Sequence, residues 1–152
     1  MAYTSAEARR DLLDAVAEAI EGIGLALAAL GAAYEQLDER NADRLEDELF
    51  GPVQRAYGRA KSTYARFGER HGMPVRTFAT PSPGIPSTGA KGFIDNAVAA
   101  VAGADAALSS LQDSALPTDV GDVALRAALT EVRELLGGVR VRARELERTL
   151  GR

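Results

Sequence analysis

Eight apolar residues near the N-terminus, Leu13, Val16, Ile20, Ile23, Leu27, Leu30, Tyr34 and Leu37, follow one another in steps of three and four. Spacing of that kind places side chains on one face of an α-helix and defines an unbroken heptad seam. Thr4 or Ser5 can cap the start, and Glu7 lies in the first turn, where a carboxylate favours the helix dipole. The pattern predicts a helix over residues 5–39, roughly 50 Å long at 1.5 Å per residue. A helix of that length needs partners of similar length.

Three further segments supply them. The second helix is expected to begin near Asn41 or Asp43, with Asp43 and Glu46 at capping-box spacing. Its inner face is marked by Leu45, Leu49, Val53, Ala56, Ala60 or Tyr57, Tyr64 and Phe67. Gly51-Pro52 interrupts it, because proline lacks the helical N–H and crowds the preceding turn, so a kink or break is expected near Pro52. Gly72 and Pro74 end the segment. Residues 72–89 carry Pro74, Pro81, Pro83 and Pro86 with Gly72, Gly84 and Gly89, and read as a loop. A connection that long suits a crossover between two helical hairpins, or a strap that touches a partner. The third helix starts near Ser87 or Thr88 and carries Ile94, Ala97, Val101, Ala104, Leu108, Leu111 and Ala115. After the turn at Leu116-Pro117, Thr118 or Asp119 caps the last helix, with Leu125, Leu129, Val132, Leu136, Val139, Ala143, Leu146 and Leu150 on its stripe. The expected fold is all-α: a single domain over residues 1–152, a four-helix up-and-down-type bundle of two hairpins joined by the 72–89 crossover.

Composition narrows the function classes. A chain of 152 residues can bury a core without metals or disulfides, and it has no cysteine for either. No apolar core with a small-residue cleavage site follows the N-terminus, so no signal peptide is expected. The uncharged run from Gly22 to Tyr34 is shorter than the about 20 residues of a membrane span. A cytoplasmic protein without a membrane partner is the expectation. The cations are 16 Arg against 2 Lys, a bacterial-like bias that a GC-rich genome would produce.

The first helix carries a second stripe beside its heptad seam: Ala8, Leu12, Ala15, Ala19, Gly22, Ala26, Ala29 and Ala33. Small residues let another backbone approach closely. Between Gly22 and Tyr34 no side of the helix is charged, and a helix apolar all round is buried all round. One bundle leaves part of each helix facing water, so this stretch is expected to need a cover. Ala15, Ala19, Gly22, Ala26, Ala29 and Ala33 are the expected interface of a homodimer or of a partner helical protein.

Net charge is −4, yet it is distributed in blocks. Residues 1–51 and 77–122 are acidic, while 52–76 and 123–152 are basic. Alternating blocks give each acidic helix a basic neighbour in an antiparallel bundle. In 52–76, Arg55, Arg59, Arg66 and Arg70 interleave with Tyr57, Tyr64 and Phe67. Cations beside aromatics also suit a polyanion or RNA. The acidic total and the inner-face spacing of those aromatics argue against nucleic acid.

Chemistry is sparse. His71 is the only histidine, so multi-histidine metal bundles are excluded, and no metal or cofactor is expected. Acidic clusters at Asp11/Asp14, Glu18/Glu21 and Asp43/Glu46/Asp47/Glu48 do not match the paired E-x-x-E and E-x-x-D pattern of helical MazG-like pyrophosphatases. No phosphate-binding loop or nucleophile elbow is present. Arg66-Phe67-Gly68-Glu69-Arg70-His71 resembles the R-x(4–6)-H motif of HEPN ribonucleases, which are dimeric helical bundles. The resemblance implies that Arg66 binds phosphate and His71 acts as acid or base. It covers six residues only. Phe67 stands where that family has a polar residue, and the motif falls late in helix two rather than late in the domain. The residues therefore point first to a non-enzymatic interaction protein. A polyanion binder or HEPN-like ribonuclease using 52–76, and a small-molecule binder in the bundle core, are the alternatives.

Overall fold

The computed structural model describes residues 3–150, which are mostly helical with no strand among them. Helix α1 runs Ser5–Glu35. Thr4 caps it, accepting from the Glu7 amide while the Glu7 carboxylate takes the Thr4 amide, a reciprocal capping box. By length and composition α1 is apolar enough to cross a membrane, and half of its most apolar stretch is buried in the bundle.

The second long helix starts at Glu39, ahead of the expected Asn41 or Asp43, with Asp38 as its cap residue. It comprises α2 (Glu39–Leu45), a π-helical turn (Glu46–Phe50) and α3 (Gly51–Arg70). The interruption expected at Gly51-Pro52 takes the form of that π-turn. The Gly51 amide reaches back five residues to the Glu46 carbonyl, and Pro52 falls in the first turn of α3, where its missing N–H does least harm.

Residues 73–85 have no regular structure, and a 3-10 turn at Pro86–Thr88 leads into α4 (Gly89–Asp113). The last segment differs from expectation. Instead of one helix capped by Thr118 or Asp119, there is a short α5 (Leu116–Asp119), then α6 (Val123–Leu136) capped by Asp122, then α7 (Val139–Leu150). Two glycine features explain it. A side chain at Gly121 would collide with the Pro117 carbonyl, and the adjacent Gly137 and Gly138 interrupt the helix where propensity is lowest.

The helices form a ring in which α1 packs on α4 and α3, α3 on α6, and α4 on α6 and α7. Arg9 at the start of α1 bonds the Val120 carbonyl, while Gln36 at its end bonds the Pro86 carbonyl. The crossover therefore travels the full height of the bundle, and all ring neighbours are antiparallel. Leu12, Ile20, Ile23, Leu45, Leu49, Phe67, Phe93, Ile94, Leu125 and Leu129 fill the core.

The small-residue stripe of α1 is spent inside the chain. Ala19, Ala26, Ala29 and Ala33 are buried, Ala15 is half-buried, and a methyl group at Gly22 would sit 3.3 Å from the Ala104 Cβ of α4. This corrects the expected interface. Both α1 and α4 are acidic, and small uncharged residues let their backbones approach along the longest seam of the bundle. The face on which a homodimer was expected to form is thus occupied by the chain's own α4.

Candidate functional site

The only histidine lies at the C-terminal end of α3, where Gly72 adopts a positive φ of 62° and turns the chain out of the helix. There Asp122 gathers three partners. Arg70 donates to both its oxygens at 2.8 and 2.9 Å, His71 Nε2 lies 3.0 Å away, and the Leu125 amide donates to it at 2.8 Å. Burial by itself would raise the Asp122 pKa, but the bonds from Arg70, Leu125 and His71 together outweigh it and hold the carboxyl at about 2. The cluster ties the end of α3 to the start of α6. Arg66, paired with His71 by the ribonuclease-like spacing, is exposed, and its side chain makes no hydrogen bond or ion pair among the described residues; Arg70 takes the place beside His71.

The basic segment divides in the same way. Arg59 pairs with Glu131 of α6 at 2.7 Å, Arg70 with Asp122, and Arg76 with Glu21 of α1. Arg55 and Arg66 remain exposed. The acidic and basic blocks meet across helix seams. Among the described residues no group of three or more His, Asp or Glu side chains is arranged to hold a metal ion.

The groove between α1 and α3 has the more open geometry. One wall is a ladder of aromatics seven residues apart, Phe50 from the π-turn and Tyr57 and Tyr64 from α3. Its α1 wall carries Gly24 and Gly31 at the same spacing. Gly24 leaves room for the Tyr57 ring, which a methyl group there would approach to 3.2 Å, whereas a methyl group at Gly31 would meet nothing within 4 Å. The crossover fills the lower part of this groove. Val75 packs against Gly68, where any side chain would collide with it. Phe78 meets Tyr64 edge-on at 5.3 Å between ring centres, the Arg76 amide donates to the Tyr64 hydroxyl at 3.2 Å, and the Arg76 guanidinium lies over Phe78 while pairing with Glu21.

Higher up, the crossover draws away from the helices. A cleft of about 510 Å³ opens beneath it, with Leu25 and Tyr57 on the floor and Phe78, Ala79 and Pro81 in the roof. Leu25 is 43% exposed there. Above it, a second cleft of about 280 Å³ is lined by Gly31, Tyr34, Glu35, Glu46 and Phe50, with no crossover residue over it. Leu25, Phe50 and Phe78 were not among the residues singled out from sequence; the signal that finds them is the aromatic repeat at 50, 57 and 64 opposite the glycine repeat at 24 and 31. Both clefts lie outside the core in which a small-molecule site was considered.

Fold and groove together define the class: an all-α bundle whose crossover acts as a strap over one helix–helix groove. No protein-family model, curated protein or solved structure matches the chain.

Proposed function

We propose that the protein works by binding rather than by catalysis, and that the strapped α1–α3 groove is its binding surface. One observation carries this reading. Leu25 and Tyr57 present apolar surface in an open cleft that the crossover spans but does not fill. Concave, mostly apolar surface with a few polar groups at its margin is the usual form of a binding site. Self-association through the small-residue stripe no longer has a surface to use, so a dimer, if light scattering detects one, has to form elsewhere.

The residues with catalytic promise support the same reading. His71 and Arg70 are engaged with the carboxylate that caps α6, a bond pattern that holds two helix ends together. A photo-crosslinking side chain at Leu25 tests the proposal, with the same group at Val141, which is exposed on α7, as control. Discrete adducts at position 25 and none at 141 are expected in extracts of the source cells. Equal labelling at both positions, or none at either, overturns the groove as the binding surface.

A further inference from the structure

The strap shows what the α1–α3 groove accepts. Its lower part holds an extended stretch of chain, Val75 to Phe78, in which an aromatic side chain packs on a rung of the aromatic ladder. An arginine two residues before that aromatic pairs with a carboxylate on α1. The groove repeats these features fourteen residues away along each wall, about four helical turns higher. Phe50 replaces Tyr64 as the aromatic rung, Gly31 leaves open space on the facing wall, and Glu35 and Glu46 replace Glu21 as the carboxylates. Neither Glu35 nor Glu46 forms an ion pair among the described residues. Tyr34, 39% exposed, adds apolar surface at the rim.

We infer that this uncovered upper part of the groove takes an extended segment of a partner protein carrying a basic residue two positions before an aromatic or large aliphatic one. The inference rests on the binding reading above and names the partner's chemistry. An extended segment with little internal hydrogen bonding costs less ordering when proline stiffens it, as Pro74 and Pro81 stiffen the strap. Apolar anchoring on Phe50 and Tyr34 supplies affinity, and the unpaired carboxylates select against acidic segments.

The strap's own sequence provides the probe. A fluorescein-labelled peptide of residues 72–83 is titrated with the full chain, and anisotropy is read. Saturable binding is expected. Gly31→Leu fills the cleft without touching the core, so it should weaken binding by about tenfold or more while the melting temperature holds or rises. Glu35→Lys with Glu46→Lys should weaken it similarly, as should a peptide with glutamate in place of its arginine. Absence of saturation up to about 1 mM peptide overturns the inference. So does unchanged affinity in Gly31→Leu. If binding survives Gly31→Leu but is lost in Tyr64→Ala, the peptide competes with the strap for the lower groove; the upper site is then wrong while the groove-binding reading stands. Loss of both peptide binding and Leu25 crosslinks removes the two together.

Discussion

The Glu48 carbonyl accepts a hydrogen bond of 2.7 Å from the Arg142 guanidinium, reaching from α7 to the π-turn. In a regular helix that carbonyl would accept from the amide four residues on, but residue 52 is proline and has no N–H. Arg142 supplies the missing donor. Gly138 makes the reach possible, because a side chain there would collide with the guanidinium. A helix irregularity in one segment is therefore satisfied by a glycine break in another.

Arg142→Ala should cost about 1–3 kcal/mol, the usual penalty for leaving a carbonyl without a donor. Pro52→Ala restores a local N–H, so Arg142→Ala should cost less in that background. Chemical denaturation of the four proteins in the cycle measures the coupling. Fully additive effects would show that the two residues do not serve the same carbonyl.

Glycines on α1 should respond in opposite directions. Gly22→Leu and Ala26→Leu force bulk into the α1–α4 seam and should destabilise by about 1–3 kcal/mol. Gly31→Ala meets open space and should stabilise by about 0.5–1 kcal/mol through helix propensity. Thermal unfolding separates the two. An assembly change without a stability change in Ala26→Leu would return the stripe to an intermolecular role.

Two carboxyls give opposite pH dependences. Glu147, in a cleft with Asp95, Arg140 and Arg144, is pushed up to about 7, first by burial and then by its hydrogen bond with Asp95 and that residue's charge, against the opposing pull of Lys91 and Arg144. Its folded pKa lies above the ordinary value of 4.5, so its contribution is complete below that value and is lost as pH rises through about 7. Asp122 is held at about 2, so its contribution is present above 3.8 and lost as pH falls through about 2. Denaturation from pH 4 to 8 should show a decline that Glu147→Gln flattens. Asp122→Asn should instead flatten the loss below pH 4.

Asp122 and Arg66 distinguish a structural cluster from a catalytic one. Asp122→Ala removes a helix cap and should cost about 1 kcal/mol from the cap alone. Arg66→Ala, at an exposed site, should change stability by less than about 0.5 kcal/mol. Wild type and His71→Ala should be equally inert toward single-stranded RNA at low salt. Cleavage by wild type that vanishes in His71→Ala would restore the ribonuclease reading.

Much of the fold was legible in the heptad seams, because period alone identifies a helix and its buried face. Leu13 to Leu30, Ile94 to Leu111 and Leu125 to Leu146 all turn inward at their expected spacing, save Leu27, which is only partly buried. Boundaries were less legible. Asp122 caps α6 because Gly121 lets the chain pass close to Pro117, a contact between backbone atoms that residue types do not announce. The groove was hidden for a similar reason. By spacing Tyr57 and Tyr64 read first as inner-face residues, with cation-flanked stacking as the alternative; only the fold shows that the strap covers Tyr64 and leaves Tyr57 half-exposed.

What the sequence by itself determined is the helical period, the crossover and the alternation of charge, since each is a property of neighbours along the chain. Which face of α1 is covered was decided only in three dimensions. Alanine and glycine suit a close-packed partner of any origin, and nothing in α1 distinguishes its own α4 from a second molecule. Packing geometry brought Ala104 to Gly22 and lifted the strap from Tyr57, and so placed the open surface on the opposite side of the helix from the stripe that announced itself.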